Sequence, residues 1–432
     1  GDSLDISLAK RRIGYLLFAT VALVPFVFVP VRRFHDFFYA PKACALTIIA
    51  MLFLLILLQY RKAINSLIRF DSINRTLLIY FMLLVVSLFF ALDRELAIHG
   101  SPRREDGFRM MMVYFLLFLA ARTGTISRTK FNVGIEISAA ILSIYGIMQC
   151  YGLDPFPRDF IRARWRTAFS TFGNPNFFGS YLVLVIPIAL DSFIRRRKDI
   201  SGLVYSILIY ALLCTRTRGA WIGATVAIVA YLVINRLSAT HRKQDIRRII
   251  SILLITVAVV LAFNGLSDNA FMKRYKSIFD DAARVIRNEE AERAGAGRIF
   301  LWRRVILLIK ERPLTGYGIE NLREPFTERF GQEVIAVFGN MLYFDKAHNE
   351  YLHIAVTTGI PSLIVYLSLV TKVLHVGLTR LRENDTYCPF VASVLGYLVQ
   401  AFFNISVVSV AYMFWVFLGI LCNYDDLHPG PT

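Results

Sequence analysis

Apolar residues run along this chain in long blocks, separated by short polar segments rich in Lys and Arg. A helix needs roughly 20 apolar residues to cross the hydrocarbon core of a bilayer. The blocks predict twelve membrane helices, at about 13–31, 42–60, 75–92, 107–121, 131–151, 176–194, 201–214, 219–235, 248–264, 349–377, 388–405 and 408–423. The fourth and seventh are short, and Gly359 and Pro361 interrupt the tenth, which predicts a kink there. The first block is too long for a signal peptide and no small-residue cleavage site follows it, so it reads as a retained helix. With the N-terminus inside, the inner loops hold more Lys and Arg than the short outer loops, which puts both termini in the cytoplasm. The expected fold is therefore all-α and polytopic, with about twelve transmembrane helices. Residues 1–264 would carry helices one to nine, 265–347 one large helical periplasmic loop, and 348–432 helices ten to twelve.

Within that long segment, residues 268–296 are charged and mixed in sign, and read as a solvated helix. Residues 298–312 follow as RIFLWRRVILLIKER, too short to span but amphipathic. At about 100° per residue, Arg303, Arg304, Lys310 and Glu311 share one face, while Trp302, Val305 and Ile309 share the opposite one. This is the pattern of a helix lying in the interface, its apolar face in lipid or against other helices. Arg298 falls in the middle of the apolar stripe. Either it points to water as the first helical residue, or it is directed at an anion. Pro313 stops the helix, and Thr315-Gly316-Tyr317-Gly318 forms a turn.

Composition sharpens this picture. The chain has 432 residues, of which 56% are hydrophobic and 19% charged, and its mean hydropathy is +0.53; a soluble domain is about 45–50% apolar and about 25% charged. Thirty-five Phe exclude a disordered chain. The formal charge of +18 reads first as membrane topology rather than as a nucleic-acid surface. Some arginines exceed what topology requires. Arg158, Arg162, Arg164 and Arg166 crowd one predicted outer loop, and Arg216 and Arg218 fill a loop of a few residues that holds no acid. These suit an anionic ligand at the outer surface, or the phosphates of the outer leaflet. The five cysteines lie in or at the ends of apolar segments with no CxxC, which predicts buried thiols rather than a disulfide or zinc site. His348 and His353 are five residues apart and cannot share a metal as i, i+4 histidines do, so no metal site and no cofactor are expected. Glu136 and Asp191 lie inside spans, where acids are functional candidates, but both sit near the inner ends, where a local hydrogen bond or snorkelling accounts for them.

Several runs, taken in order, resemble the bacterial O-antigen ligase and polymerase superfamily. They are Ser170-Thr171-Phe172-Gly173-Asn174-Pro175-Asn176-Phe177-Phe178-Gly179, then Thr215-Arg216-Thr217-Arg218-Gly219-Ala220-Trp221, then Gly297-Arg298 with Trp302 and the following 313–318, and finally His348-Asn349-Glu350-Tyr351-Leu352. The resemblance covers about 172–370; the first five blocks match only as apolar helices. It implies a metal-independent, inverting glycosyltransferase of the inner membrane with its site facing the periplasm. A ligase of this kind moves a glycan from undecaprenyl pyrophosphate to a lipid A–core or other acceptor sugar; a polymerase moves it to another lipid-linked repeat. Carried over, Arg218 and Arg298 would bind the pyrophosphate, with Arg216 as a partner, and His348 would activate the acceptor hydroxyl. Trp302, Asn174 and Asn349 would be supporting.

The chemistry agrees with the residues. A sugar pyrophosphate already carries a good leaving group, whose charge guanidinium groups can neutralise with a permanent, two-pronged fit to phosphate. An imidazole has the pKa range to take a proton from a sugar hydroxyl. A lipid-linked glycan flippase would also place Arg in a membrane cavity, but transporters show internal repeats and midplane broken helices, and no repeat is visible here. A membrane scaffold leaves Arg298 on its apolar stripe unexplained.

Overall fold

A run of apolar residues in a medium without water satisfies its backbone only within a helix, and helices account for the regular structure here. The computed structural model describes residues 2–30, 37–102, 104–156, 167–237, 246–287 and 297–425. Its principal helices are α1 Asp2–Ala22, α2 Tyr39–Gln59, α3 Ser72–Phe89, α4 Phe108–Thr123, α5 Arg128–Cys150, α6 Pro175–Ile194, α7 Asp199–Cys214 and α8 Arg218–Leu237. There follow α9 Ile246–Leu266, α10 Ala270–Arg287, α11 Arg298–Glu311, α12 Arg323–Phe338, α13 Glu350–Thr358, α14 Ile360–Arg380, α15 Cys388–Gln400 and α16 Ala411–Leu421. No strand occurs among the described residues.

Seven of these helices are long and apolar enough to cross a membrane: α2, α3, α5, α6, α8, α9 and α14. The other five expected segments form helices that fall short of that measure, each for a physical reason. α1 begins upstream of the apolar block, so Lys10, Arg11 and Arg12 lie inside it, and it ends before the turn at Pro25. α4 and α7 have 16 residues each. α15 has 13 and α16 has 11, and all of α16 is buried. A helix enclosed by protein has no hydrocarbon thickness to match. The irregular backbone between α15 and α16 is served by side chains, as Asn404 donates to the Asn176 carbonyl at 3.3 Å and to Ser180 Oγ at 3.0 Å. Non-helical backbone at such depth is tolerated where protein buries it.

α6 is the centre of the bundle. Its whole apolar window is buried, enclosed by α5, α7, α8 and α15. α9 is the opposite case, with only 11% of its window buried and Leu253, Leu254, Val257 and Leu261 exposed. Such a surface is a liability in water and suits acyl chains. The same holds for the exposed face of α2. It carries Cys44, which departs from the expectation of buried cysteines; the other four are buried. The two acids inside spans are locally satisfied. Asp191 accepts from Arg128 at 2.6 Å and from the Tyr231 hydroxyl at 3.1 Å, and Glu136 accepts from Ser192 and Ser201.

Residues of α11, α12 and α13 form a second, smaller core around Phe300, Leu301, Val305, Phe326 and Phe330. α11 follows its predicted wheel: Val305 and Ile309 are buried, Arg303 and Lys310 exposed. Its apolar face meets α12 and α13, so the helix is packed on protein. The expected kink is a complete break at Gly359, with φ +93. A Cβ there would lie 2.2 Å from the Leu314 carbonyl oxygen. Gly359→Ala should therefore lower the thermal midpoint of the purified protein. Backbone strain alone costs about 1–3 kcal/mol, and the collision adds to it.

Candidate active site

Four helices that carry the sequence-predicted residues begin at one end of the bundle. Asn174 caps α6, its side chain accepting from Asn176 N at 2.8 Å. Asn349 caps α13 by accepting from Leu352 N at 3.1 Å, and it is buried. Arg218 is the first residue of α8, and Arg298 the first of α11. Backbone contacts tie these ends together. Ala168 N donates to the Cys214 carbonyl at 3.0 Å, joining the 168–174 and 214–218 loops, and Glu350 N donates to the Ala401 carbonyl at 2.9 Å.

The two arginines sit where helix electrostatics disfavour them. A helix N-terminus carries partial positive charge and favours anions. Gly297, in the left-handed region at φ +78, turns the chain so that Arg298 opens α11. Arg298 is half-buried, and no acid among the described residues lies within ion-pair distance. Burial, together with the like charges of Arg218 and Arg274, pushes its pKa below the ordinary guanidinium value. A half-buried guanidinium crowded by like charges is held at a cost, and a bound anion beside Arg298 relieves it. Helix N-termini and arginines together form an anion site of familiar physics.

Arg274 was hidden in the sequence among the other charges on the polar face of the amphipathic helix α10. It donates through Nε to the Arg216 carbonyl at 3.2 Å, and Arg218 donates to the Ser277 carbonyl at 3.4 Å, so α10 lies across the 214–218 loop. Arg216 itself has φ +55. The charges that act on Arg298 are those of Arg218 and Arg274, which marks Arg218 as the loop arginine of the cluster. Lys42 was also missed, because a Lys at the start of a span reads as an anchor. It is fully buried, donating to the Val27 carbonyl at 2.7 Å and the Thr171 carbonyl at 2.5 Å beside the Asn174 loop. Arg158, Arg162, Arg164 and Arg166 lie outside the described residues.

His348 stands beside this cluster. Its backbone is left-handed, with φ +49, a conformation uncommon outside glycine, though His is among the residues enriched there, and one that costs about 1–3 kcal/mol. Trp302 Nε1 donates to the Ala347 carbonyl at 3.0 Å, so α11 holds both Arg298 and the chain leading into His348. The imidazole makes no hydrogen bond with the described residues. Burial, then the charges of Arg298 and Arg104, lower its pKa to about 4. The ring is therefore neutral at physiological pH, with an unprotonated nitrogen to accept a proton. Neighbouring guanidinium groups and an uncommitted neutral imidazole are the parts required to stabilise an anionic leaving group and deprotonate a hydroxyl.

The chain is similar to known proteins over the region that carries these residues. The model of a family described as O-antigen ligase matches residues 203–367. That span contains Arg216, Arg218, Arg274, Arg298, Trp302, His348 and Asn349. A Haemophilus influenzae protein described as uncharacterized is 21% identical over 399 residues, covering 90% of this chain and 90% of its own.

Proposed function

Residues 203–367 are similar to the O-antigen ligase family, and from that similarity we propose that the chain transfers a glycan from undecaprenyl pyrophosphate to a lipid A–core or other surface acceptor sugar. The observation that carries this reading is the clustering of Arg298, Arg218 and Arg274 beside a neutral, unbonded His348. In the proposed reaction the arginines hold the pyrophosphate, and Arg218 and Arg298 take the charge that develops as the anomeric C–O bond breaks. His348 removes the acceptor hydroxyl proton from the opposite face of the sugar, so the anomeric configuration inverts and no metal takes part. Undecaprenyl pyrophosphate leaves, and the proton passes from the imidazolium to solvent.

The topology follows the same reading: both termini in the cytoplasm, and the site and residues 265–347 on the periplasmic side of the inner membrane. The polyprenyl tail would stay in the bilayer while its headgroup enters between helices. The test is a transfer assay with the purified chain in lipid nanodiscs, a glycan on undecaprenyl pyrophosphate, and a lipid A–core acceptor. A ligase releases free undecaprenyl pyrophosphate and adds one preformed block per acceptor. Growth of the glycan on the lipid carrier identifies a polymerase instead. Binding without any transfer, accompanied by passage of the donor across the bilayer, identifies a flippase and removes the reading.

A further inference from the structure

The left-handed conformation of His348 requires something to impose it, since strain of this kind persists only where surrounding structure over-determines it. The residues on either side are individually held. Asp345 pairs with Arg104 at 3.3 Å, the Ala347 carbonyl accepts from Trp302, Asn349 caps α13, and the Glu350 carboxylate accepts from Ser406 N at 2.7 Å. Lys346 is the most deeply set of the charged residues among them, at 2% exposure. Its ammonium donates to Glu320 in a short ion pair and lies 3.6 Å from Asp106. His353 faces the same Glu320 at 3.8 Å.

Two further left-handed residues meet at this cluster. Glu320 itself has φ +62, and Glu105, beside Asp106, has φ +57. Three corners of the chain (before α4, before α12 and before α13) thus converge on one buried ammonium. A buried ion pair is weak evidence for stability, because apolar residues of similar volume often serve as well. Here its position specifies a local conformation.

We propose that the Glu320–Lys346–Asp106 cluster is a positioning device that fixes the backbone of His348 in its left-handed form and so aims the imidazole at the arginine cluster. Lys346 is the positioning residue and does not touch substrate. The proposal rests on the reading of His348 as the base.

The leading charges acting on His348 are those of Arg298, Arg104, Asp345 and His353. Glu320 does face His353, so a change in the titration of His348 reports a change in where the ring sits only when it exceeds the shift given by His353→Gln, which removes that charge alone. Burial opposes ionisation of Glu320, but Lys346 and His353 hold its carboxyl down to about 2, so the paired substitution K346M/E320Q removes one charge of each sign.

The experiment uses the full chain in lipid nanodiscs. Carbethoxylation of His348 by diethyl pyrocarbonate is followed by peptide mass spectrometry between about pH 3.5 and pH 7.5, the span that brackets the lowered value and the ordinary histidine value near 6.5. In the unaltered protein, reactivity should titrate near pH 4. In K346M/E320Q it should move up by about one pH unit or more toward the ordinary histidine range, with a fall in kcat exceeding any change in donor KM. Lys346→Arg should keep the original titration. If the double variant does not fold, Trp302→Phe, which loses the donor to Ala347, carries the test with a smaller upward shift. A titration shifted no further than in His353→Gln in the folded double variant, or unchanged in Trp302→Phe where the double variant does not fold, overturns the proposal. Full transfer by His348→Ala would instead remove the assignment of the base, and the titration result would stand apart from it.

Discussion

His348→Ala should abolish glycan transfer while leaving donor binding almost intact. General-base assistance contributes about 10²–10⁴-fold, and truncating the ring removes no group that meets the pyrophosphate. The pH dependence gives this prediction its sign. In the free protein, burial and the charges of Arg298 and Arg104 hold the imidazole pKa at about 4. The base is therefore unprotonated through neutral pH, and kcat/KM should stay level down to about pH 5, falling only as the pH approaches 4. An unshifted histidine would lose activity near pH 6.5. Donor binding brings a pyrophosphate into the cationic cluster, and nearby negative charge favours the imidazolium. The acid limb of kcat, which reports the donor-bound state, should accordingly lie at higher pH than that of kcat/KM. The bound donor would thus make His348 a stronger base when an acceptor is to be attacked. Rate profiles with saturating and limiting donor check this. Coincident limbs near pH 6.5 would place the base outside the arginine field.

Arg298→Ala should weaken the donor complex roughly tenfold to a hundredfold. Hydrogen bonds to charged groups contribute about 1.5–3 kcal/mol, and 1.4 kcal/mol is a factor of ten. Arg303, one turn along the same helix, is exposed on the polar face of α11. Arg303→Ala should change donor affinity less than about twofold, as expected of an exposed charge in high dielectric. Arg298→Lys should recover only part of the affinity, because a point charge lacks the planar fork that fits phosphate. Removing Arg298 should also raise the pKa of His348, since Arg298 is the leading charge that lowers it. Isothermal titration with undecaprenyl pyrophosphate measures the affinities. Equal losses for Arg298→Ala and Arg303→Ala would show a diffuse basic surface instead of a site.

The sequence was most legible where one physical requirement dominated. α2, α6, α8 and α9 are predominantly apolar helices of 20 or 21 residues, and each appears close to its expected bounds. α15 and α16 were read as spans because an apolar block does not say whether it faces lipid or protein. α16 is buried throughout its 11 residues, and that burial depends on α4, to which no local pattern points. Arg218, Arg298 and His348 stood out because each is a polar residue at the edge of an apolar block, and the structure brings Arg298 within electrostatic range of each of the other two. Arg274 could not be singled out within α10, because it lies among the charges of the polar face of a strongly amphipathic helix and reads as one of them. Glu320 and Lys346 are 26 residues apart, and neither looks unusual until the chain buries both. The half-legible case is Arg216 against Arg218. Both loop arginines were visible, but only the fold makes Arg218 the one that acts on Arg298.

The most direct test of the account is the anomeric configuration of the glycosidic bond formed by the purified protein in buffer containing a strong chelator, read by NMR from a donor of defined anomeric configuration. A guanidinium cluster holding the pyrophosphate, with His348 acting from the far face of the sugar, predicts an inverted bond formed at an undiminished rate. A retained configuration, or transfer that stops on chelation and resumes with added divalent metal, would contradict it.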